Sequence, residues 1–405
     1  MTTKNAARSS AEFFPILPWG RLHGGKKANL RREHGLESIA ECHFTIGGFV
    51  KAGDLPLCEK LGLRAIMYPT ADSGAIARKE WGKISDAEID RRIKRMVERF
   101  GDSKAILGYY IIDEPGAALF PALGKAVAAV KKYAPGKLAY INLYPDYATI
   151  GAPDISQLDT DSYTEYLERF VKEVKPQILS YDNYRVQYAK DMRDTAAAAS
   201  YYLNLLEVRR IALKYGLPFW NIASSNQIRP HTPVPSPANL HFQAYTTLAA
   251  GGRGLSWYTY YARGYGYAPI DESENKTLTW RYLQMVNRQV KVLGPAMNRL
   301  KSTGVFFTSP PPVASLPVLP GKLIKAIKAD VPVMVGEFLG NDGVPHVMLV
   351  NLSLERSARI SLTMQEKYGS VQIISAEDAS LAPVDDKRGL WLVAGQGVLI
   401  RLAKT

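Results

Sequence analysis

Residues 106–115, Ile-Leu-Gly-Tyr-Tyr-Ile-Ile-Asp-Glu-Pro, form an apolar run that ends abruptly in two adjacent carboxylates and a proline. Tyr109, Tyr110, Ile111 and Ile112 show no polar alternation, the texture of a strand covered on both faces, as in a parallel sheet. Pro115 cannot donate to a ladder and stops the strand. Beyond it Phe120, Leu123, Val127 and Val130 recur at helical spacing. Asp113 and Glu114 are therefore expected at the carboxyl end of a strand that feeds a helix. In a barrel of parallel strands and helices, that end carries the catalytic groups.

Outward from this stretch the same alternation repeats. Strands are expected over residues 13–19, 43–48, 63–68, 137–144, 177–181, 218–223 and 254–261. A basic segment follows the first, through Leu30, and helical segments are expected to about 40, over 54–61, 86–100, 117–133, 161–174 and 188–215, from 237, and over 278–300. The 86–100 segment carries Ile89, Ile93, Met96 and Val97 on one face and charges on the other. With 106–115 included, eight strands each precede a helical segment, which is the pattern of an α/β protein of the (β/α)8 TIM-barrel type. A doubly wound sheet would want a glycine-rich phosphate turn after its first strand, and Trp19-Gly20-Arg21-Leu22-His23-Gly24-Gly25 lacks that spacing. From about Ser302 the texture changes to short strand-like segments (333–338, 347–350, 358–362, 371–374, 397–402) separated by Gly, Asn, Asp and Pro. These read as a small C-terminal antiparallel β-sandwich. The expected division is an extended or disordered segment 1–12, a barrel 13–301 and a sandwich 302–405.

The length of 405 residues suits a barrel of roughly 250 to 300 residues with a smaller domain appended. Two cysteines, Cys42 and Cys58, exclude a disulfide framework and an all-cysteine metal site, and both read as buried packing residues. No apolar stretch approaches a membrane span, and residues 1–12 lack the apolar core of a signal peptide. The expectation is a cytoplasmic protein, or an exported one whose signal peptide is missing from this sequence. Fifty-one Lys and Arg against 38 Asp and Glu give a net charge of +13, which would draw an anionic substrate toward the surface. The basic residues are spread through helical segments without a dense run, so a solvated basic surface is the plain reading and nucleic acid is not expected as a partner.

Cleaving a glycosidic bond needs a carboxyl group that stays protonated to donate to the leaving oxygen. It usually needs a second that attacks the sugar or activates water. Glu114 suits the first role, because aromatic neighbours would desolvate its charged form and Asp113 would add like-charge repulsion, both raising its pKa. The competing reading is a carboxylate that caps the following helix or pairs with an arginine. For the second role the nearest acid is Asp182, at the end of the sixth expected strand among Tyr181, Asn183, Tyr184 and Arg185. Its competing reading is a residue that fixes the strand-to-helix turn.

The segment Ile111-Ile112-Asp113-Glu114-Pro115 resembles the Asn-Glu-Pro motif of barrel glycoside hydrolases of the large retaining clan A, in which that Glu is the acid/base. Trp257, in Leu255-Ser256-Trp257-Tyr258, is similar to the aromatic platform those enzymes place under the sugar at the eighth strand. The resemblance covers roughly residues 13–300 and extends to bacterial barrel proteins described as glycoside hydrolases; the trailing sandwich is also similar to C-terminal domains that many such enzymes carry. One departure stands out. The clan's nucleophilic Glu at the end of the seventh strand has no counterpart in Phe219-Trp220-Asn221-Ile222-Ala223-Ser224-Ser225-Asn226. A separation between Glu114 and Asp182 of roughly 6.5 to 9.5 Å would let Asp182 activate water and invert the sugar, whereas about 5 to 5.5 Å would favour direct attack. Inversion is the expectation.

Tyr68, Tyr144, Tyr184 and Trp220 are candidates to stack on sugar rings, with core or rim packing as the alternative for each. Asn142, Asn226, Gln227, His43 and His231 are candidates to bond hydroxyls. No histidine pair has metal-ligand spacing and no Gly-x-Ser-x-Gly elbow is present, so no cofactor or metal is expected. The expectation is a glycoside hydrolase acting on an oligo- or polysaccharide. The alternatives are a carbohydrate-binding barrel without hydrolysis, motivated by the missing seventh-strand acid, and a lyase on acidic glycans with Tyr184 or a His as base. Oligomeric state is not legible.

Overall fold

A computed structural model describes residues 12–20, 32–149, 157–385 and 389–403. The expected N-terminal segment, but for Glu12, and the basic stretch through Leu30 lie outside the described residues. Eight strands form one sheet: β1 (Ile16–Pro18), β2 (Ile46–Val50), β3 (Arg64–Met67), β4 (Ile106–Asp113), β5 (Leu138–Leu143), β6 (Leu179–Asp182), β7 (Phe219–Ser224) and β8 (Gly254–Tyr258). Their order is β1-β8-β7-β6-β5-β4-β3-β2, and the ladders joining β2 through β7 are parallel. This is the strand order of a (β/α)8 barrel, as expected from the alternation.

The helices follow in step: α1 (Arg32–Glu41), α2 (Leu55–Lys60), α3 (Asp86–Phe100), α4 (Phe120–Tyr133), α5 (Tyr163–Arg169), α6 (Tyr201–Tyr215), α7 (Pro237–Ala249) and α8 (Leu278–Asn298). The clearest signals gave the clearest helices. In α3 the Ser85 hydroxyl accepts from the Glu88 N–H (3.3 Å), Ile89, Ile93, Met96 and Phe100 are buried, and Gly101 ends the helix at φ +72°. The helix expected over 188–215 is shorter: before Tyr201 there is only a four-residue turn, Ala196–Ala199. The Asp191 carboxylate accepts from the Arg193 N–H (2.9 Å), and this local bond competes with helix formation.

One irregularity matters for the site. Along β4 and β5, Tyr110 pairs with Tyr140, but the next pairs are Ile112 with Ile141 and Asp113 with Asn142. Ile111 is thus an extra residue, a β-bulge, and it turns Asp113 to the face shared by Tyr110, Tyr140 and Asn142. Just before it, a Cβ on Gly108 would run into the Leu138 carbonyl oxygen, so only glycine allows the two strands their approach.

Compactness divides the chain into two units. One comprises residues 17–182 and 207–222, and the other the remaining described residues. The second holds α7, β8, α8 and the C-terminal strands. Those strands form two antiparallel sheets. The larger has the order β15-β14-β17-β12-β11-β9, built from β9 (Leu300–Phe307), β11 (Val333–Gly340), β12 (Pro345–Asn351), β14 (Ser370–Ile374), β15 (Leu381–Pro383) and β17 (Gly397–Ala403). The smaller is β10 (Ile324–Lys328), β13 (Ala358–Met364) and β16 (Leu390–Leu392). Between them lie Ile324, Val333, Val335, Val347, Leu349, Ile360, Leu390, Leu392, Ile400 and Leu402, the core of a β-sandwich. The sequence reading missed β9, β10, β15 and β16. On its other face the larger sheet packs on α7, where a Cβ on Gly336 would meet the Ala249 backbone. The buried Glu337 accepts from the N–H groups of Lys322, Leu323 and Ile324 (3.0, 2.8 and 3.0 Å), so this acid is structural. Cys42 and Cys58 are free and buried, as expected.

Candidate active site

The first unit gathers three carboxyl groups, Asp113 and Glu114 from the end of β4 and Asp182 from the end of β6. Asn142, on β5 between them, donates to Asp113 Oδ1 (3.1 Å) and to Asp182 Oδ1 (2.9 Å). Its own orientation is fixed from behind. Ser180 donates its hydroxyl to Asn142 Oδ1 (3.1 Å), and because that uses the only hydroxyl proton, Tyr140 must donate to Ser180 Oγ (3.0 Å). The chain Tyr140, Ser180, Asn142 therefore aims amide protons at two carboxyls. Asn142, Ser180 and Asp182 are all buried.

Glu114 lies one residue beyond the strand with φ +47°, a left-handed conformation uncommon for a non-glycine residue. Its backbone N–H donates to the Asn142 carbonyl (2.8 Å). Arg78, from the loop after β3, donates to the backbone carbonyls of Asp113 and Glu114 (2.6 Å each) and to the Tyr144 hydroxyl (3.3 Å). Behind the turn, Tyr166 on α5 donates to the Pro115 carbonyl (2.7 Å), so the strained residue is gripped from two sides. The Glu114 and Asp182 side chains are hydrogen-bonded to each other.

Beneath the carboxyls is an aromatic floor. Phe49 lies against Trp19 (4.9 Å between ring centres) and Tyr110 (5.0 Å), Tyr110 against Tyr68 (5.1 Å), and Tyr140 against Trp220 (5.9 Å). Burial pushes Asp113 up to about 6, opposed by the Asn142 hydrogen bond and the Arg78 charge. Burial and then the Asp113 charge push Glu114 up to about 7, opposed by Arg78 and by the hydrogen bond with Asp182. Asp182 stands well above the usual carboxyl range, from burial first and from Glu114 and Asp113 after it.

The expected site residues fall into three groups. Asp113, Glu114, Asn142 and Asp182 are brought together, with Tyr144 held by Arg78 and with Tyr68 and Trp220 in the aromatic floor. Tyr184 and Asn226 belong to the second unit: Tyr184 packs on Tyr258 (5.1 Å), whose hydroxyl lies 2.9 Å from that of Tyr265, and Asn226 is buried with its amide 3.5 Å from the Thr259 hydroxyl. Two expectations are corrected. Trp257 offers no face to a sugar, because it is fully buried and its indole N–H donates to Asn287 on α8 (2.8 Å). Successive strand residues face opposite ways, and the half-exposed aromatic at this strand end is Tyr258. His43, expected as the first residue of the second strand, lies before it: at φ +58° it follows α1, and β2 begins three residues later, at Ile46, which leaves it at the amino end of that strand. Arg78, Ser180 and Tyr140 were missed; only the placement of Ser180 two residues before Asp182 on one strand face could have signalled any of them.

The architecture defines a class, the (β/α)8 barrels with an appended β-sandwich. No family model matches the sequence, and no curated protein sequence does. Among solved structures, the chain is similar to a catalytic mutant of Gan42B, a GH42 beta-galactosidase from G. stearothermophilus, at 8% identity. That match covers 96% of this chain and 98% of that one, with a TM-score of 0.63. It is also similar to a glycoside hydrolase family 5 protein from Bacteroides vulgatus, at 13% identity, covering 97% of this chain and 90% of the other, with a TM-score of 0.57. Of a beta-galactosidase from the psychrophilic Marinomonas ef1 it spans 60% of the length, and 70% of its own, at 11% identity and a TM-score of 0.48. At these identities the likeness is one of fold.

Proposed function

We propose that the chain is a glycoside hydrolase whose acid is Glu114. The observation that carries this reading is the gathering of Asp113 and Glu114, at the end of β4, with the buried Asp182 around the Asn142 amide. Burial pushes Asp113 up to about 6, and burial with the Asp113 charge pushes Glu114 up to about 7, so of the two Glu114 holds its proton to the higher pH. Two carboxyls whose environments hold them in opposite states are what acid-assisted glycoside cleavage requires. Glu114 donates to the leaving oxygen as the bond to the anomeric carbon breaks, ionised Asp113 faces the positive charge that develops on the sugar, and water adds to that carbon and returns a proton to Glu114. Asp182, buried at the end of β6, raised well above the usual carboxyl range and held by the Asn142 amide (2.9 Å), acts as a positioning residue. The fold likeness to glycoside hydrolases agrees with this assignment.

The substrate is an oligo- or polysaccharide that stacks on the aromatic residues near the strand ends. The expected result on a panel of aryl glycosides is release of reducing sugar, with a bell-shaped pH profile of kcat/KM whose limbs fall near 6 and 7. Turnover of no panel member would favour a binding barrel, and products with unsaturated-uronate absorbance would favour elimination. Proton NMR of the first-formed anomer reads out the stereochemistry.

A further inference from the structure

On the outer face of the three-stranded sheet, Trp391 is 66% exposed, the most exposed large hydrophobic side chain among the described residues. Its neighbours on β16, Leu390 and Leu392, are buried in the sandwich core, so strand alternation fixes Trp391 outward. Solvent-facing strand positions are ordinarily polar, and an indole in water forfeits its burial. Arg359 pairs with Trp391 in register on β13, and Ser361 and Thr363 follow on the same exposed face. Across from them on β10 stand Lys328 and Ala326. The outward side chains of these three strands thus include two cations, two hydroxyls and no acid. At a strand spacing of about 4.8 Å, β10 and β16 are about 10 Å apart, the span of two sugar rings. Beyond the β10 edge a cavity of about 450 Å³ continues the surface, lined by Lys325, Ala326, Thr308, Ser309, Arg193 and Asp330 among others.

We infer that this face of the sandwich binds an anionic polysaccharide, with Trp391 stacking on the apolar face of a sugar ring and Arg359 and Lys328 meeting its carboxylates or sulfates. The choice of a saccharide rests on the glycosidase reading, and the choice of an anionic one on the basic side chains beside Trp391 on β10 and β13. The +13 net charge of the whole chain acts in the same direction. A flat face with one aromatic and hydroxyl-bearing neighbours fits a chain of rings better than a point anion.

The test is native affinity electrophoresis of the full chain in gels containing alginate, dextran or polyglutamate, with hydrolysis followed separately. Alginate is expected to retard the wild type and dextran to leave it unretarded. Trp391→Ala is expected to weaken retardation at least tenfold with an unchanged melting temperature, and Lys328→Ala with Arg359→Ala to weaken it and flatten its dependence on salt. Absence of retardation by alginate, equal retardation of Trp391→Ala and wild type, or equal retardation by polyglutamate would overturn the inference. So would conversion of a dimer to a monomer by Trp391→Ala without glycan binding, since the face would then belong to a second copy. Retardation without hydrolysis overturns the barrel reading alone, and hydrolysis without retardation overturns this inference alone.

Discussion

Glu114→Gln is expected to lower kcat by roughly 10³-fold on glycosides with poor leaving groups, with KM changed little. The magnitude follows from the role. Glutamine keeps the shape and can still accept from Asp182, but it has no proton to give to a departing alkoxide. The loss should therefore depend on the leaving group. A dinitrophenyl glycoside departs without protonation and is expected to lose far less than a methylumbelliferyl or alkyl glycoside. Equal losses on all of them would mean that the substitution disturbs the turn at φ +47° rather than removing an acid. Steady-state kinetics over a leaving-group series separates the two outcomes.

Asp182→Asn is expected to stabilise the protein at alkaline pH. A carboxyl whose folded pKa lies above its unfolded value contributes stability that is fully present below the unfolded value, near 4, and is lost as pH rises through the folded one. Asp182 lies well above, and Glu114 lies at about 7. Wild-type stability should accordingly decline from about pH 4 through 7 and beyond, as protons are stripped from a buried cluster that cannot hold three charges. Asparagine at 182 retains a donor toward Glu114 and removes one of the charges. The gain should be small at pH 4 and should grow as pH rises through the neutral range, read as a widening difference in Tm. Differential scanning calorimetry across pH checks this, and parallel curves for the two proteins would show that Asp182 does not carry the buried proton. Greater stability in exchange for a disabled site is the pattern of a functional cluster.

The barrel was legible because its signal is distributed: eight apolar runs, each followed by a helical period, survive errors at any one boundary. Glu114 and Asp182 were legible as acids at the ends of such runs, and Asn142 as a polar residue closing an apolar one. What failed were matters of one residue. The bulge at Ile111, which turns Asp113 to the Asn142 face, leaves no mark in an unbroken apolar sequence. Trp257 and Tyr258 are both aromatic, and only the facing of the strand tells which is buried against α8. His43 was placed in the second strand, which begins only at Ile46, because the turn that ends α1 runs into it without a polar break. Arg78 lies 35 residues before Asp113 and binds backbone carbonyls, a contact that no side-chain pattern encodes.

The central claim is that burial and Asp113 keep a proton on Glu114 at neutral pH. Carbon-13 NMR of the side-chain carboxyls, with Glu114 assigned by comparison with Glu114→Gln, tests it most directly. The account predicts a titration of the Glu114 carboxyl near 7 while Asp182 remains protonated. A Glu114 midpoint near 4, with Asp182 ionised throughout the neutral range, would contradict it.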